Sequence, residues 1–412
     1  MRAHALPALA SLLCMLALGG CTGANRSTDI VGRSLTIYSS LPLQGSDAKR
    51  ALDVQRAEQL ALKQAHNRVG KFKLKFVGLN DASRSTGRWQ PSKVSSNARK
   101  AAQDKHTIAY LGELDSGGSA VSIPILDQAG ILQVSPADGL AELTRKQGDK
   151  RGPAKYYPEH DRNFGRVVPP DDLQTAALVS YMHDVGVRHP FVLNDGGGYG
   201  VSIADQIRHR LYGRISPTLR PRDVPADTFT PEESDFGSVT RNVIQSGADA
   251  LVYTGEPTPT IVRLWQSLHA ANPRLKLFGP NELADPAFYT AIGTAGASTY
   301  LTDPSLPLNL RPPAARTFAA DFRREYRAAP DPYALFGYEA MNAVLQSIRQ
   351  AGSKANDRKR VIDEFLGLRR ATSVLGPYTI DRNGDISLTT FAGYRVRDGK
   401  LVFDRLLKPA AG

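Results

Sequence analysis

Residues 107–137 read TIAYLGELDSGGSAVSIPILDQAGILQVSPA, and the parsing of this stretch decides the fold. Thr107 to Leu111 is a short apolar run rich in strand-favouring residues, and a loop carries it to Ser116. Gly117 to Gln128 keeps a helical spacing despite Pro124. Ile131 to Val134 is a second short strand, and Ser135 to Gly139 is the loop at its end. Two apolar strands joined by a helix form one parallel crossover unit, whose strands are covered on both faces and so read as unbroken apolar runs.

The unit recurs in both directions. Before it lie a strand at Leu35 to Tyr38, a helix from Asp47 with Ala51, Val54, Ala57, Leu60 and Ala61 on one face, a strand at Phe72 to Leu79, a polar loop from Asp81 to Ser96 and a helix from Asn97 to Asp104. Residues 145–160 break the pattern with glycine, two prolines and mixed charge, as an ordered surface insertion would. The alternation then restarts, with helices at Asp171 to Val185, Val201 to Tyr212, Ser234 to Gln245 and Thr260 to Ala270 and strands at Pro190 to Leu193, Ala250 to Tyr253 and Leu275 to Phe278. Helices at Pro312 to Ala328, Pro332 to Ala351 and Asp357 to Leu366 precede a mostly β ending. Two such sets predict an α/β molecule of two lobes, each a mostly parallel doubly wound sheet flanked by helices, with a ligand site in the cleft between them.

Composition narrows the class. With 41% apolar and 22% charged residues the chain reads as globular. The net charge of +12 is spread along the chain with acids among the bases, and no basic stripe interleaved with aromatics appears, so no nucleic-acid partner is expected. At the start, Arg2 is followed by an apolar run from Ala5 to Leu18, too short to span a membrane, and then by Leu18-Gly19-Gly20-Cys21. This predicts a lipoprotein signal peptide over residues 1–20, acylation of Cys21 and a flexible tether over 21–33. The only other cysteine, Cys14, lies in the segment removed, so the mature chain has no intramolecular disulfide and rests on its core alone. The expected location is extracytoplasmic, anchored to the membrane by the N-terminal lipid.

Several local patterns then resemble one family. Ala109 to Ser116 followed by Ile131 to Ala137 resembles a strand, a serine-bearing loop, a helix and a "GILxISPA" segment; Val192 to Asp195 leading to Tyr199-Gly200 resembles an "hxxxYG" turn; Leu375-Gly376-Pro377 with Asp381 to Asp385 resembles a "GP...D..GD" close. Together, over most of residues 35–403, they are similar to the solute-binding proteins of branched-chain amino acid ABC transporters, of the type I periplasmic binding protein fold. That resemblance implies lobes at 34–166 with 300–375 and at 167–299 with 376–412. It also implies three hinge crossovers, near Arg166 to Pro169, Ser298 to Thr302 and Val374 to Pro377. It implies a monomer that closes on a small organic solute, an amino acid or related carboxylate, and hands it to an ABC permease. A sensing lipoprotein of the same fold, read by a membrane receptor or envelope enzyme, is the alternative, and an exported hydrolase a remote one.

The resemblance also carries over site residues. Ser116 stands where the ligand carboxylate is bound, which suits a hydroxyl and free N–H groups at a helix start. Ala137 stands where a backbone carbonyl is offered, and Gly139 where a threonine is usual. Tyr199 matches an aromatic that covers the ligand from the second lobe; Glu256 stands where a second tyrosine is usual. Asn281 falls where an acid pairs with the ligand's ammonium, and Glu282 is one place further along. Trp89, Tyr156 and Tyr157 are expected to pack on their own lobe.

Other chemistry is not supported. Gly196-Gly197-Gly198-Tyr199-Gly200 lacks dinucleotide-loop spacing, and Asp381-Arg382-Asn383-Gly384-Asp385 lacks the third ligand and terminal glutamate of a calcium loop. No HExxH or GxSxG is present. No catalytic residue, cofactor or metal is expected.

Overall fold

The computed structural model describes residues 29–84, 87–146, 152–159, 161–211, 224–229 and 236–409. Cys21 and the expected signal peptide lie outside the described residues. The first sheet is built from β1 (Ser34–Leu41), β2 (Arg68–Val69), β3 (Phe72–Asn80), β4 (Thr107–Leu111), β5 (Leu132–Ser135) and β6 (Phe164–Arg166), in the order β2-β3-β1-β4-β5-β6. All pairings are parallel except the edge hairpin of β2 with β3. Every residue of β4 is buried, as the unbroken TIAYL run requires of a strand covered on both faces. Connecting helices are α1 (Ala48–Gln64), α2 (Pro91–Gln103) and α3 (Ser116–Gln128).

The second sheet contains β7 (Pro190–Asn194), β8 (Ala226–Thr228), β9 (Ala250–Thr254), β10 (Lys276–Gly279) and β11 (Thr299–Asp303). It is flanked by α4 (Asp171–Asp184), α5 (Gly198–Leu211), α6 (Phe236–Gln245), α7 (Pro259–Ala271) and the short α8 (Pro286–Ala291). The chain then returns to the first lobe with α9 (Pro313–Tyr326), α10 (Ala334–Ala351), α11 (Arg358–Phe365) and a small hairpin of β12 (Arg369–Arg370) and β13 (Tyr378–Thr379). It ends in the second sheet as the antiparallel pair β14 (Phe391–Arg397) and β15 (Lys400–Leu407), giving the order β15-β14-β11-β10-β9-β7-β8. The architecture is the two-lobed α/β fold expected.

Packing explains the return. Ala51, Val54, Ala57, Leu60 and Ala61 of α1 share a core with Ala340, Met341, Val344 and Ile348 of α10. Gly337 lets the two helices touch, since a Cβ there would meet the Val54 backbone oxygen at 2.7 Å. In the second lobe Trp265, fully buried, meets Tyr253 and Phe288 edge-on. No described helix is long and apolar enough to cross a membrane.

Two crossovers fall later than the sequence suggests. Thr299–Asp303 is not a hinge but an inner strand of the second sheet, so the chain crosses between β11 and α9. Tyr378, Ile380 and Ile386 pack in the core of the first lobe, so the last crossing lies just before β14 rather than at Val374 to Pro377. A hinge and a central strand are both extended, and neighbour pairing, which distinguishes them, is not local information. Helix α2 also begins earlier than Asn97, at Pro91, where a proline costs nothing because its missing N–H would be unpaired anyway.

Candidate functional site

Parallel strands all point their carboxyl ends the same way, so the loops after β1, β4 and β5 face those after β7, β9 and β10 across a cavity of about 590 Å³. Ser116, Ala137 and Gly139 line it from the first lobe and Tyr199, Glu256, Asn281 and Glu282 from the second. Asp47, Arg50, Arg88, Trp89, Asp115, Tyr156, Asp171, Asp195 and Tyr333 also line it. None of these was singled out as a site residue from the sequence.

The first-lobe wall is held by a serine. Ser135 Oγ donates to the carbonyl of Glu113 at 2.7 Å and accepts from the N–H groups of Ala137 and Asp138 at 3.2 and 2.8 Å. The loop is thereby folded back toward α3, where Ser116 Oγ donates to Asp138 Oδ1 at 2.6 Å. Ser116 therefore does not present a free hydroxyl proton to a ligand carboxylate. What the start of α3 still offers is its first-turn N–H groups, which have no intrahelical acceptor. Asp138 is buried, accepts from the Leu140 N–H at 3.0 Å, and leaves Oδ2 without a partner.

Gly139 has no side chain because a carboxylate occupies the space. A Cβ built there would lie 1.9 Å from Asp171 Oδ1 and 2.6 Å from its Cγ. Asp171 opens α4, its N–H bonded to the Gly139 carbonyl at 2.7 Å. It is only 4% exposed, and its Oδ2 has no partner. An acid from the second lobe thus fills the position where the resemblance puts a threonine.

Burial governs the charge on this wall. It pushes the Asp115 carboxyl up to about 8, with Asp47, Asp81, Asp138 and Glu282 adding repulsion. It pushes Glu282 up to about 7. Asp171 is raised well above the carboxylate range, by burial first and then by Glu282 and Asp138. Tyr199 holds its proton far above the usual phenol range, again by burial, with Asp171 nearby and the Glu282 carboxyl interacting with its hydroxyl. Asn281 Oδ1 is buried and unpartnered.

Further polar contacts cross from lobe to lobe. Asn281 Nδ2 donates to the Tyr333 hydroxyl at 3.3 Å, and Arg50 donates to the Ala284 carbonyl at 3.4 Å while its guanidinium lies 4.8 Å from the Tyr333 ring centre. Glu256 pairs with Arg88 at the mouth, both partly open to solvent. Trp89 and Tyr156 are corrected by the structure: both line the cavity, the Trp89 ring lying against Gly117, where a Cβ would come within 2.5 Å of it. Tyr157 does pack inward, its hydroxyl on the Leu143 carbonyl at 2.8 Å.

The relatives of the chain share this architecture. A sequence profile described as periplasmic binding protein matches residues 39–400. The Leu/Ile/Val-binding protein BraC3 of Rhizobium johnstonii is 27% identical over 374 residues, 89% of this chain and 93% of that protein. The Leu/Ile/Val-binding protein of Escherichia coli is 25% identical over 316 residues, 76% and 77% of the two chains. Among solved structures, the leucine-binding protein LivK of Thermotoga maritima superposes with a TM-score of 0.76 at 20% identity, covering 91% of this chain and 99% of its own. A solute-binding protein of an ABC transporter from R. palustris, solved with benzoate, gives 0.72 at 19%, covering 92% and 97%. With the profile spanning nearly all of both lobes, the chain belongs to the periplasmic binding protein family, whose members bind rather than transform.

Proposed function

We propose that the protein is the extracytoplasmic solute-binding component of an ABC importer, held at the membrane through Cys21, and that it captures a small amino acid-like solute by closure of its lobes. The observation that carries this reading is the interlobe cavity itself, walled from both lobes and holding unpartnered buried polar atoms of Asp171 and Asn281. Groups left without partners cost free energy in the empty protein, and since these stand on the second lobe, a ligand seated at the start of α3 in the first recovers it only when the second lobe also closes on it. Among the solutes named for its relatives, a bare aromatic carboxylate suits this cleft poorly. Asp47, Asp115, Asp171, Asp195, Glu256 and Glu282 line it, against Arg50 and Arg88.

Calorimetry of the mature protein against a panel of amino acids, with small-angle scattering in parallel, tests the reading. Binding at micromolar or tighter affinity with a smaller radius of gyration is the expected result; an absence of binding across the amino acids would refute it. Tyr199→Phe removes a buried hydroxyl from the wall and weakens that binding about tenfold, the scale of one ligand hydrogen bond. A second measurement addresses the tether. Cys21→Ala moves the protein from the membrane fraction to the soluble fraction while its ligand affinity stays unchanged, whereas retention at the membrane would remove the lipid from the reading.

A further inference from the structure

The wall of the cleft carries more carboxyl groups than one ammonium accounts for. Asp115 from the first lobe and Asp171 and Glu282 from the second face one cavity, with Asp138 behind Ser116, and they bear on one another electrostatically. The nearby guanidiniums are committed elsewhere. Arg166, fully buried, pairs with Asp385 at 2.9 Å, with the carbonyls of Asp138 and Leu140 at 3.1 and 3.0 Å and with Thr144 at 2.6 Å. Arg50 leans on Tyr333 and lies 3.9 Å from Asp331, and Arg88 pairs with Glu256. Asp171 meanwhile is nearly buried, with its Oδ2 unpartnered, and is set into the cavity wall.

Two further observations say what kind of group belongs there. Among the described residues no three His, Cys, Asp or Glu side chains are arranged to hold a metal ion. The rings of Trp89, Tyr156, Tyr199 and Tyr333 line the same cavity, and aromatic faces attract organic cations. The start of α3 separately offers N–H groups to one carboxylate.

We propose that the cleft is built for a basic amino acid, its carboxylate at the start of α3 and its two positive groups shared among Asp115, Asp171 and Glu282. The inference rests on the solute-binding reading above and specifies the ligand of that same site. Raised carboxyl pKa values agree with it: the acids are held protonated by burial in the empty cleft and lack the cation that would ionise them. The second positive charge sets this ligand apart from the branched-chain amino acids named for the relatives.

The test is calorimetry on the mature chain with arginine, lysine, ornithine, leucine, putrescine, benzoate and calcium chloride as probes. A basic amino acid is expected to bind at least 100-fold more tightly than leucine, with affinity falling as salt rises. Asp171→Asn, close to isosteric, is expected to cut that preference tenfold or more, and Glu282→Gln serves as the second probe should the first variant fail to fold. Leucine or benzoate binding as tightly as any basic amino acid overturns the inference and leaves the solute-binding reading intact. So does a preference unmoved by both substitutions. Putrescine or calcium binding more tightly than every amino acid overturns the assignment to a basic amino acid, and silence from all probes overturns both readings together.

Discussion

Gly139→Thr abolishes ligand capture, weakening affinity by at least about 100-fold, and lowers folding stability by about 1–3 kcal/mol, the usual cost of overpacking a filled site. The cause is the Asp171 carboxylate, 1.9 Å from where the new Cβ would stand. Neither backbone can retreat easily. Gly139 is tied to Asp171 through its carbonyl, and the flanking carbonyls of Asp138 and Leu140 are both held by the buried Arg166. The acid must swing into the cavity it lines, where it takes the space of the ligand. Gly139→Thr combined with Asp171→Gly recovers the stability lost by the single change, because the overlap is gone, but not the affinity. Chemical denaturation of the four proteins of this cycle gives the coupling directly. A Gly139→Thr protein with unchanged midpoint and affinity would show that the two residues do not compete for one space.

The ligand-free protein melts at progressively lower temperature as pH rises from about 4 to 8. The sign follows from the protons. In the unfolded chain Asp115 and Glu282 titrate near 3.8 and 4.5, whereas in the folded cleft they hold their protons to about 8 and 7. Asp171 is raised well above its ordinary value too. Across that window the folded state binds more protons than the unfolded one, so stability falls as pH increases. Glu58, raised to about 8 by burial in the first lobe, pulls the same way, whereas Asp104, lowered by its His106 and Tyr38 hydrogen bonds despite its own burial, acts only near pH 4 and in the opposite sense. A drop in melting temperature of about 5 °C or more between pH 5 and 8 is expected, since one pKa unit is about 1.4 kcal/mol. A saturating cationic ligand lowers the cleft pKa values and flattens this slope, which separates the cleft acids from Glu58. Scanning calorimetry across the range, with and without ligand, decides it; a melting temperature that rises toward pH 8 without ligand contradicts the assignment.

The layered fold was legible in runs such as TIAYL and ALVYT, because strands covered on both faces carry no charged residue and no polar-out alternation in sequence. The seven residues carried over by resemblance all line one cavity, which local order and spacing were enough to suggest. What escaped is what depends on distant segments meeting. Gly139 was visible as a departure, but nothing near it announces that Asp171, at the start of a helix in the other lobe, fills the vacancy. Asp171 itself looks like an ordinary acid favouring a helix N-terminus, which it also is. Ser116 misled in a related way. Its hydroxyl suits an anion, yet the loop anchored by Ser135 brings Asp138 up to take the proton first. Thr299–Asp303 likewise reads as hinge or strand with equal ease until β10 and β14 are seen on either side of it.

The pair between Arg88 and Glu256 straddles the mouth of the jaws with side chains 41% and 44% exposed. Ion pairs so open to water are worth only about 0–1 kcal/mol, so this one tilts the balance between gaping and shut empty molecules by at most about fivefold. A permease served by this protein, as proposed, would meet only the outside of the molecule. Were unladen copies clasped as firmly as laden ones, docking would carry no news of cargo and transport cycles would be triggered in vain. On the closure proposed above, a clasp this feeble leaves shutting to the solute, and the outline of the molecule then reports truthfully on its contents.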